Sequence, residues 1–520
     1  MTRSKPAELK LNGINRDLIP GTVPPDWWTD GRNVYFKAGQ TCRTPGEGYF
    51  ANAGAIDVGG VRFVHYVDVG AQSYWVYGGP TGIAVTEGTL HWNITPAGWV
   101  PIVAKNGKHS IGDIGGVVFV NHPELKPYWW NGNPASIMVP LPLWPATWKA
   151  GVMRGHKNFL VAGALEIGGT LQEGLVAWSV SADPGQVPSD WVPSPTNDAG
   201  DFAFLNGSGP IVDLLSVRDQ LLVAKSHYLG ILQYVGGQYV FEGRDVFPST
   251  GLFAQQAWCE SGNQVYMITG TGKFVRTDLT SYEDLLYGVL EDHFRRQLNW
   301  EYPSACFAWR EAESGQVSFG YPTGTNRACT EAITIEVATG RPGIRDLSGV
   351  FDVSVGSTAI VAQIWDPDTQ SWNSDATTWN EQASGYLPAR TVFAAGVSKL
   401  LEQGAAETFI VANVVTPVVA WAERKGIDGG GWDYRLFYSG AVPRLKGQAG
   451  DTVQIEFSAR QTDDGPEVFT GPLPFVIGSG QEQVDFMIEG RLGGFNVSSL
   501  GGSVWQLASV IPSARPSGRW

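Results

Sequence analysis

The sequence predicts an all-β fold: an irregular β-propeller of about six blades, with a small additional β-domain and one inserted helix. Three observations predict it. Charged residues make up only 17% of the 520, while Gly (66), Pro (32) and Trp (21) are plentiful, a turn-rich and aromatic-rich composition suited to strands. One phrase recurs: a strand, a turn of Gly, Asn or Asp, a strong apolar strand, then one or two more. The strong strands begin near Val61, Val117, Phe159, Leu221, Val265 and Val317, spaced 56, 42, 62, 44 and 52 residues apart, as blades with variable loops would be. No fixed period is present, and an array of β-sandwiches would give a similar pattern.

The chain divides on this reading into an N-terminal arm and hairpin (1–58), the propeller (59–425) and a C-terminal β-domain (426–520). In the arm, Pro24-Pro25 and the indoles Trp27 and Trp28 lead into alternating Val34 and Phe36, the Ala38-Gly39 turn, a return strand and Pro45-Gly46. On local physics this is a first hairpin with two core tryptophans. Val61–Val69 then pairs with Ser73–Tyr77, and Ile83–Thr86 with Leu90–Ile94, as a four-strand meander. Leu175–Ser179 is a strand, followed by turns at Ser181-Ala182-Asp183-Pro184 and Pro188-Ser189-Asp190-Trp191, the second carrying an indole anchor, and by the segment Ala199-Gly200-Asp201-Phe202. The clearest blade is Ile211–Ser216, Leu221–Lys225, Gly230–Tyr234 and Gln238–Phe241.

A helix is expected near 281–298. Thr280 or Ser281 would cap it, Glu283 or Asp284 would stand at the capping-box position, and Arg295 and Arg296 would lie in its last turn. Trp365, Trp372 and Trp379 recur every seven residues among Asp, Thr and Ser. Asp366, Asp368 and Asp375 lack the EF-hand order, and Ala376 and Ser374 spoil a sialidase-type Asp box, so they read as turn carboxylates. Gly426–Gly431 reads as a hinge, after which Trp432–Tyr438, Thr452–Ala459, Phe475–Ile477, Val484–Ile488 and Val504–Val510 read as strands.

Composition narrows the function classes. Thirty-six Lys and Arg stand against 50 acids, and a net charge of −14 disfavours a protein that grips phosphates, though not a channel through which nucleic acid slides. Cys42, Cys259, Cys306 and Cys329 show no C-x-x-C spacing and read as reduced thiols; a pairing of Cys306 with Cys329 across one hairpin is the alternative. No cofactor or metal site is expected. The short, basic Met1–Lys10 segment has no apolar core and no apolar run approaches 18 residues, so neither a signal peptide nor a membrane span is expected.

The sequence carries none of the common catalytic motifs. The seven histidines form no H-x-H or H-E-x-x-H, Gly272-Lys273 is followed by Phe274 where a P-loop needs Ser or Thr, and no G-x-S-x-G elbow occurs. A propeller glycosidase would draw two carboxylates from different blades, with Asp213, Asp219, Glu242 and Asp366 as candidates.

Read as a series, Pro24-Pro25, Trp28-Thr29-Asp30-Gly31-Arg32-Asn33-Val34 and the hairpin closing on Arg43-Thr44-Pro45-Gly46 resemble the first segment of bacteriophage tail nozzle proteins. These are also known as tail hub or packaged-DNA stabilisation proteins of short-tailed phages. The order Trp178-Ser179, Asp183-Pro184, Trp191 and Ala199–Phe202 resembles a propeller segment of that family, with a longer gap before Trp191. The Trp365–Trp379 repeat and the tail from Glu489 to Trp520 are further likenesses. The resemblance implies a structural virion protein and not an enzyme, made in the host cytoplasm and assembled in the tail. It implies a homo-hexameric ring below the portal and adaptor that extends the DNA channel, retains the genome and opens at ejection. Six copies at −14 would carry −84, and an acidic lumen would let DNA pass without binding. Trp27, Trp28, Arg32, Arg43, Trp178, Trp191, Trp365, Trp372 and Trp379 are the expected structural and assembly residues. A carbohydrate-binding or glycoside-cleaving propeller is the alternative.

Overall fold

The computed structural model describes residues 8–51, 54–70, 72–99, 108–237, 239–311, 314–357, 389–396, 399–411, 413–428, 434–462 and 465–519. The fold is all-β and of the irregular propeller class; among the described residues, five consecutive four-stranded antiparallel sheets are followed by a sixth four-strand meander that belongs to a larger sheet. The chain forms two compact units, one of residues 49–249 and 351–403, the other of 1–48, 250–350 and 404–520.

The first unit holds four meanders. Their strands are Phe63–Val69, Gln72–Gly79, Gly82–Thr86 and His91–Asn93; Ser110–Ile114, Val117–Asn121, Tyr128–Trp130 and Val139–Pro140; Trp148–His156, Phe159–Ile167, Thr170–Trp178 and Gly200–Ala203; and Ile211–Val217, Gln220–Lys225, Tyr228–Tyr234 and Phe241–Phe247. The second strands carry the strong apolar runs, and Val117–Asn121 is buried at every position because both faces of its sheet are covered. Of the six strong strands expected from spacing, all but Val61–Val69 are second strands, and that one opens its meander. The core lies between neighbouring sheets, as where Phe159, Trp178 and Phe241 pack with Leu214 and Leu221. The fourth strand of the clearest blade is a correction. It starts at Phe241 instead of ending there, because Val235 donates its amide to Val240 O (3.0 Å) and closes a longer turn around Gly236-Gly237.

The second unit holds the other two meanders: Trp258–Ser261, Gln264–Ile268, Phe274–Thr277 and Tyr282–Asp284; then Phe307–Glu311, Gln316–Tyr321, Cys329–Glu336 and Pro342–Ser357, whose last strand runs past the end of the unit. The N-terminal hairpin, Val34–Lys37 with Gln40–Arg43, extends that last sheet: Val34 pairs with Ile344, and Thr41 with Leu507. Ala38 (φ 51) and Gly39 (φ 75) make its two-residue turn left-handed at both positions, and Glu336 accepts the Ala38 amide at 2.8 Å.

The helix is a further correction. It spans only Glu291–Gln297, because Tyr282–Asp284 is a strand paired with Phe274–Thr277 and Gly288 takes φ 67, which breaks a helix. The expected cap residues belong to a turn in which Asp278 accepts the amides of Thr280 and Ser281. The helix has no cap of its own. Asp17, from the N-terminal arm, accepts the amides of Asp292 (3.0 Å) and His293 (3.2 Å) instead.

The three segments read from the sequence do not coincide with the compact units, since residues 1–48 and 404–520 share one of them. Asp30–Arg32 pairs with Val419–Asp428, and Leu492–Leu500 lies between Val419–Asp428 and Thr452–Arg460. The strand 492–500 was not expected. Its glycines answer to close approach: a Cβ on Gly493 would lie 2.5 Å from the Tyr438 hydroxyl, and one on Gly494 3.0 Å from Arg424 O. The expected hinge begins inside a strand, at Gly426, and its residues 429–431 lie outside the described ones. Cys42, Cys259, Cys306 and Cys329 form no disulfide.

Candidate functional site

Each residue of the Asp30–Val34 motif has a tertiary partner within its unit. Asp30 and Arg16 form an ion pair at 2.5 Å, and Gly31 lies against the backbone of Trp421 and Ala422. Arg32 donates from Nε to Asp346 at 2.7 Å and pairs through Nη2 with Glu331 at 3.2 Å. Asn33 (φ 57) and Asp346 recognise each other in both directions: Asn33 Nδ2 donates to Asp346 Oδ2 (2.8 Å), and the Asp346 amide donates to Asn33 Oδ1 (2.7 Å). Val34 is fully buried.

The flanking indoles differ. Trp28 is fully buried, donates from Nε1 to Thr41 Oγ1 at 2.8 Å and meets Phe495 edge-on at 5.4 Å. Trp27 is half-buried under the Arg341 guanidinium, 4.1 Å above its ring, and Arg341 is held by Asp26 at 2.7 Å. Arg43 is wholly buried at its side chain, paired with Glu407 and donating from Nη2 to Gly501 O at 2.8 Å.

Behind Arg32 stands a buried acid. Glu331 accepts from Tyr321 and lies 2.9 Å from His293 Nε2, and the Arg16 guanidinium rests 3.2 Å from that ring nitrogen. Burial would raise the Glu331 pKa, but His293, Tyr321 and Arg32 together hold it below its ordinary value. Burial and the facing Glu331 push the Tyr321 phenol far up. Arg32 is raised, its partial burial outweighed by Asp346 and Glu331. A second buried group lies nearby in the chain: Arg345 between Glu47 (3.5 Å) and Glu311 (3.2 Å). Burial raises the Glu47 carboxyl despite Arg345 and the Ser348 amide.

Strand parity marks Glu331 alone among these groups, and not its partners. Glu331 shares the strand face of Cys329, Ile333 and Ile335, so an acid stands where the alternation wants an apolar residue.

In the other unit, Trp178 donates from Nε1 to Asp198 O at 3.0 Å and meets Phe241 edge-on, while Trp191 is fully buried against Trp144 at 4.7 Å. Polar side chains link the first strands of successive meanders there. Arg154 donates to Ile111 O, Leu214 O and Asp213 (3.1, 3.0 and 3.2 Å), and so joins three sheets. His65 pairs with Asp113 (3.2 Å), and His156 Nδ1 contacts Ser216 Oγ (2.8 Å). Asp352 is buried there, and burial pushes its carboxyl up to about 6 against the charge of Lys108. Of the candidate glycosidase acids, Asp213 is spoken for by Arg154 and the Leu214 amide, and Asp219 is exposed and paired with Lys157. Asp366, Trp365, Trp372 and Trp379 lie outside the described residues. Among the described residues no cluster of three or more His, Cys, Asp or Glu is arranged to hold a metal, and no helix is long and apolar enough to cross a membrane.

No family model matches the chain, and neither does any curated protein. Solved structures do. YCF48 bound to D1 peptide is similar over 69% of this chain and 99% of its own, at 10% identity and a TM-score of 0.38. The WD40 β-propeller domain of Doa1 is similar over 68% and 96%, at 9% identity and 0.39. The exo-β-1,3-galactanase of Phanerochaete chrysosporium, solved with galactose, covers 81% and 98%, at 9% identity and 0.28. At such scores these likenesses carry no inference about function.

Proposed function

We propose that this chain is a structural virion protein, the subunit of a phage tail nozzle: a hexameric ring that extends the DNA channel, retains the packaged genome and opens at ejection. The observation that supports it is the node around Asp30–Val34. Asp30, Arg32 and Asn33, on which part of the family resemblance rests, serve the architecture and hold the N-terminal arm to later strands of the chain. The acidic balance of −14 is consistent with a conduit that repels phosphate. In this reading the portal, the adaptor and other tail proteins are partners, DNA passes without sequence-specific contact, and the protein resides in the tail.

Cryo-electron microscopy of the purified chain and of phage particles that contain its gene tests this. A six-fold ring with an acidic, duplex-wide bore is expected. A chain absent from the particles, or present without a ring around the DNA path, overturns the reading.

A further inference from the structure

The chain leaves the first unit after residue 249 and returns to it at 351. The returning segment begins as the end of the strand Pro342–Ser357, which pairs with Ala389–Ala395; that strand pairs with Leu400–Gln403, and that one with Glu47–Phe50. Phe63–Val69, the first strand of the first meander, belongs to a separate sheet, so among the described residues no backbone ladder joins it to 351–357.

Side chains join them instead. Asp352 Oδ2 accepts the Val64 amide (3.2 Å), Ser354 Oγ accepts the Tyr66 amide (3.0 Å), and Ser357 Oγ meets the Tyr66 hydroxyl (3.2 Å). Val64 and Tyr66 are alternate residues of their strand, so both turn their N–H groups to the edge away from Gln72–Gly79, and Asp352 and Ser354 alternate in the same way to meet them. At the flanks the Arg62 guanidinium lies 3.9 Å above the Phe351 ring, and a Cβ on Gly356 would come within 2.1 Å of the Tyr66 ring.

Asp352 is the ionisable member of this seam. It is buried, and its other oxygen accepts the Val353 amide at 2.9 Å. The charges that act on it are those of Lys108 and Arg154, and Arg154 is itself held by Asp213, Ile111 O and Leu214 O. On the strand that Asp352 holds, His65 is paired with Asp113, and Asp68 accepts from Tyr66 and Ser73. Two amides and two cations do not replace the water a carboxylate loses here, so burial prevails and the carboxyl is pushed up to about 6.

We infer that the returning segment is a pH-sensitive clasp: Asp352 fastens it to Phe63–Val69, and the hold weakens when that carboxyl ionises. A carboxyl that burial makes harder to ionise contributes stability in acid and loses it as pH rises through the folded value. The clasp does not depend on the nozzle reading.

Hydrogen exchange of the full-length wild type, Asp352→Asn and Ser354→Ala tests it, read by mass spectrometry on peptides covering 61–69 and, as reference, 159–167, between pH 5 and pH 7.5 with intrinsic rates divided out. His109 and His156, which burial keeps neutral, weaken the fold in the opposite direction of pH, and the reference strand reports that change. In the wild type, protection of 61–69 relative to 159–167 is expected to fall about tenfold as pH rises, since each pKa unit between the closed and opened states is tenfold. Asparagine can still accept from Val64 but cannot ionise, so in Asp352→Asn the ratio should stay constant. In Ser354→Ala it should be lower at both pH values and keep its fall. An equal fall in Asp352→Asn, or no fall in the wild type, overturns the clasp. If Asp352→Asn does not fold, the wild type and Ser354→Ala decide: protection that falls no more at 61–69 than at 159–167 overturns it.

Discussion

Replacing Arg345 by Met should destabilise the unit that holds it by about 3–5 kcal/mol near pH 8, because two buried carboxylates lose their shared cation. Arg345 is fully buried, Glu47 is fully buried and Glu311 nearly so. At roughly 2 °C per kcal/mol for a unit of this size, the melting temperature should fall by about 6–10 °C. The cost should depend on pH. Glu47 already has a raised folded pKa from burial, and without Arg345 it rises further. A carboxyl whose folded pKa lies above its unfolded value destabilises the fold at higher pH and ceases to do so as pH falls through the folded value. The gap between variant and wild type should therefore narrow from pH 8 to pH 5. Adding Glu47→Gln should restore much of the loss at pH 8, since the neutral amide still reaches the Ser348 amide that now donates to Glu47 at 3.2 Å. Differential scanning calorimetry at both pH values measures this. An equal loss at pH 5 and pH 8, with no rescue by Glu47→Gln, would refute charge pairing as the cause and leave only lost packing.

Trp28→Phe should cost about 1 kcal/mol for the Thr41 hydrogen bond and Trp28→Ala about 3–5 kcal/mol, and chemical denaturation should rank them so; replacing both Trp27 and Trp28 by Ala should leave no soluble folded protein on expression. Ala38→Gly should stabilise by about 0.5–1 kcal/mol, because Gly adopts φ 51 without strain, and a lower denaturation midpoint would contradict it. Burial lowers the pKa of His109 to about 3 and that of His156 to about 4, so both are held neutral. A base whose folded pKa is depressed gives stability that is intact above its unfolded value and is lost as pH falls towards the folded one. Melting temperature should accordingly drop from about pH 6.5 towards pH 4, and His156→Gln should flatten that slope.

The strand class and the meander pattern were legible in the sequence because each strong strand is short, apolar and bounded by turn residues, and because sheet register follows from local alternation. The N-terminal hairpin was legible for the same reason: Ala38-Gly39 can close only a tight turn between Val34–Lys37 and Gln40–Arg43. Local signals failed where pairing was long-range. Leu492–Leu500 has weak strand propensity and is a strand because sheet neighbours flank it on both sides, while the helical spacing from Tyr282 onward yields to strand pairing and to the left-handed Gly288. Trp28, Arg32 and Arg43 could be singled out by their setting. Their partners, Thr41 apart, come from hundreds of residues away, as with Asp346 for Arg32 and Glu407 for Arg43. By itself, then, the sequence determined the strand content, the turns and the acidic balance, all properties of neighbouring residues. Only the tertiary structure decided which charges are buried together, because that depends on segments brought together by the chain's return.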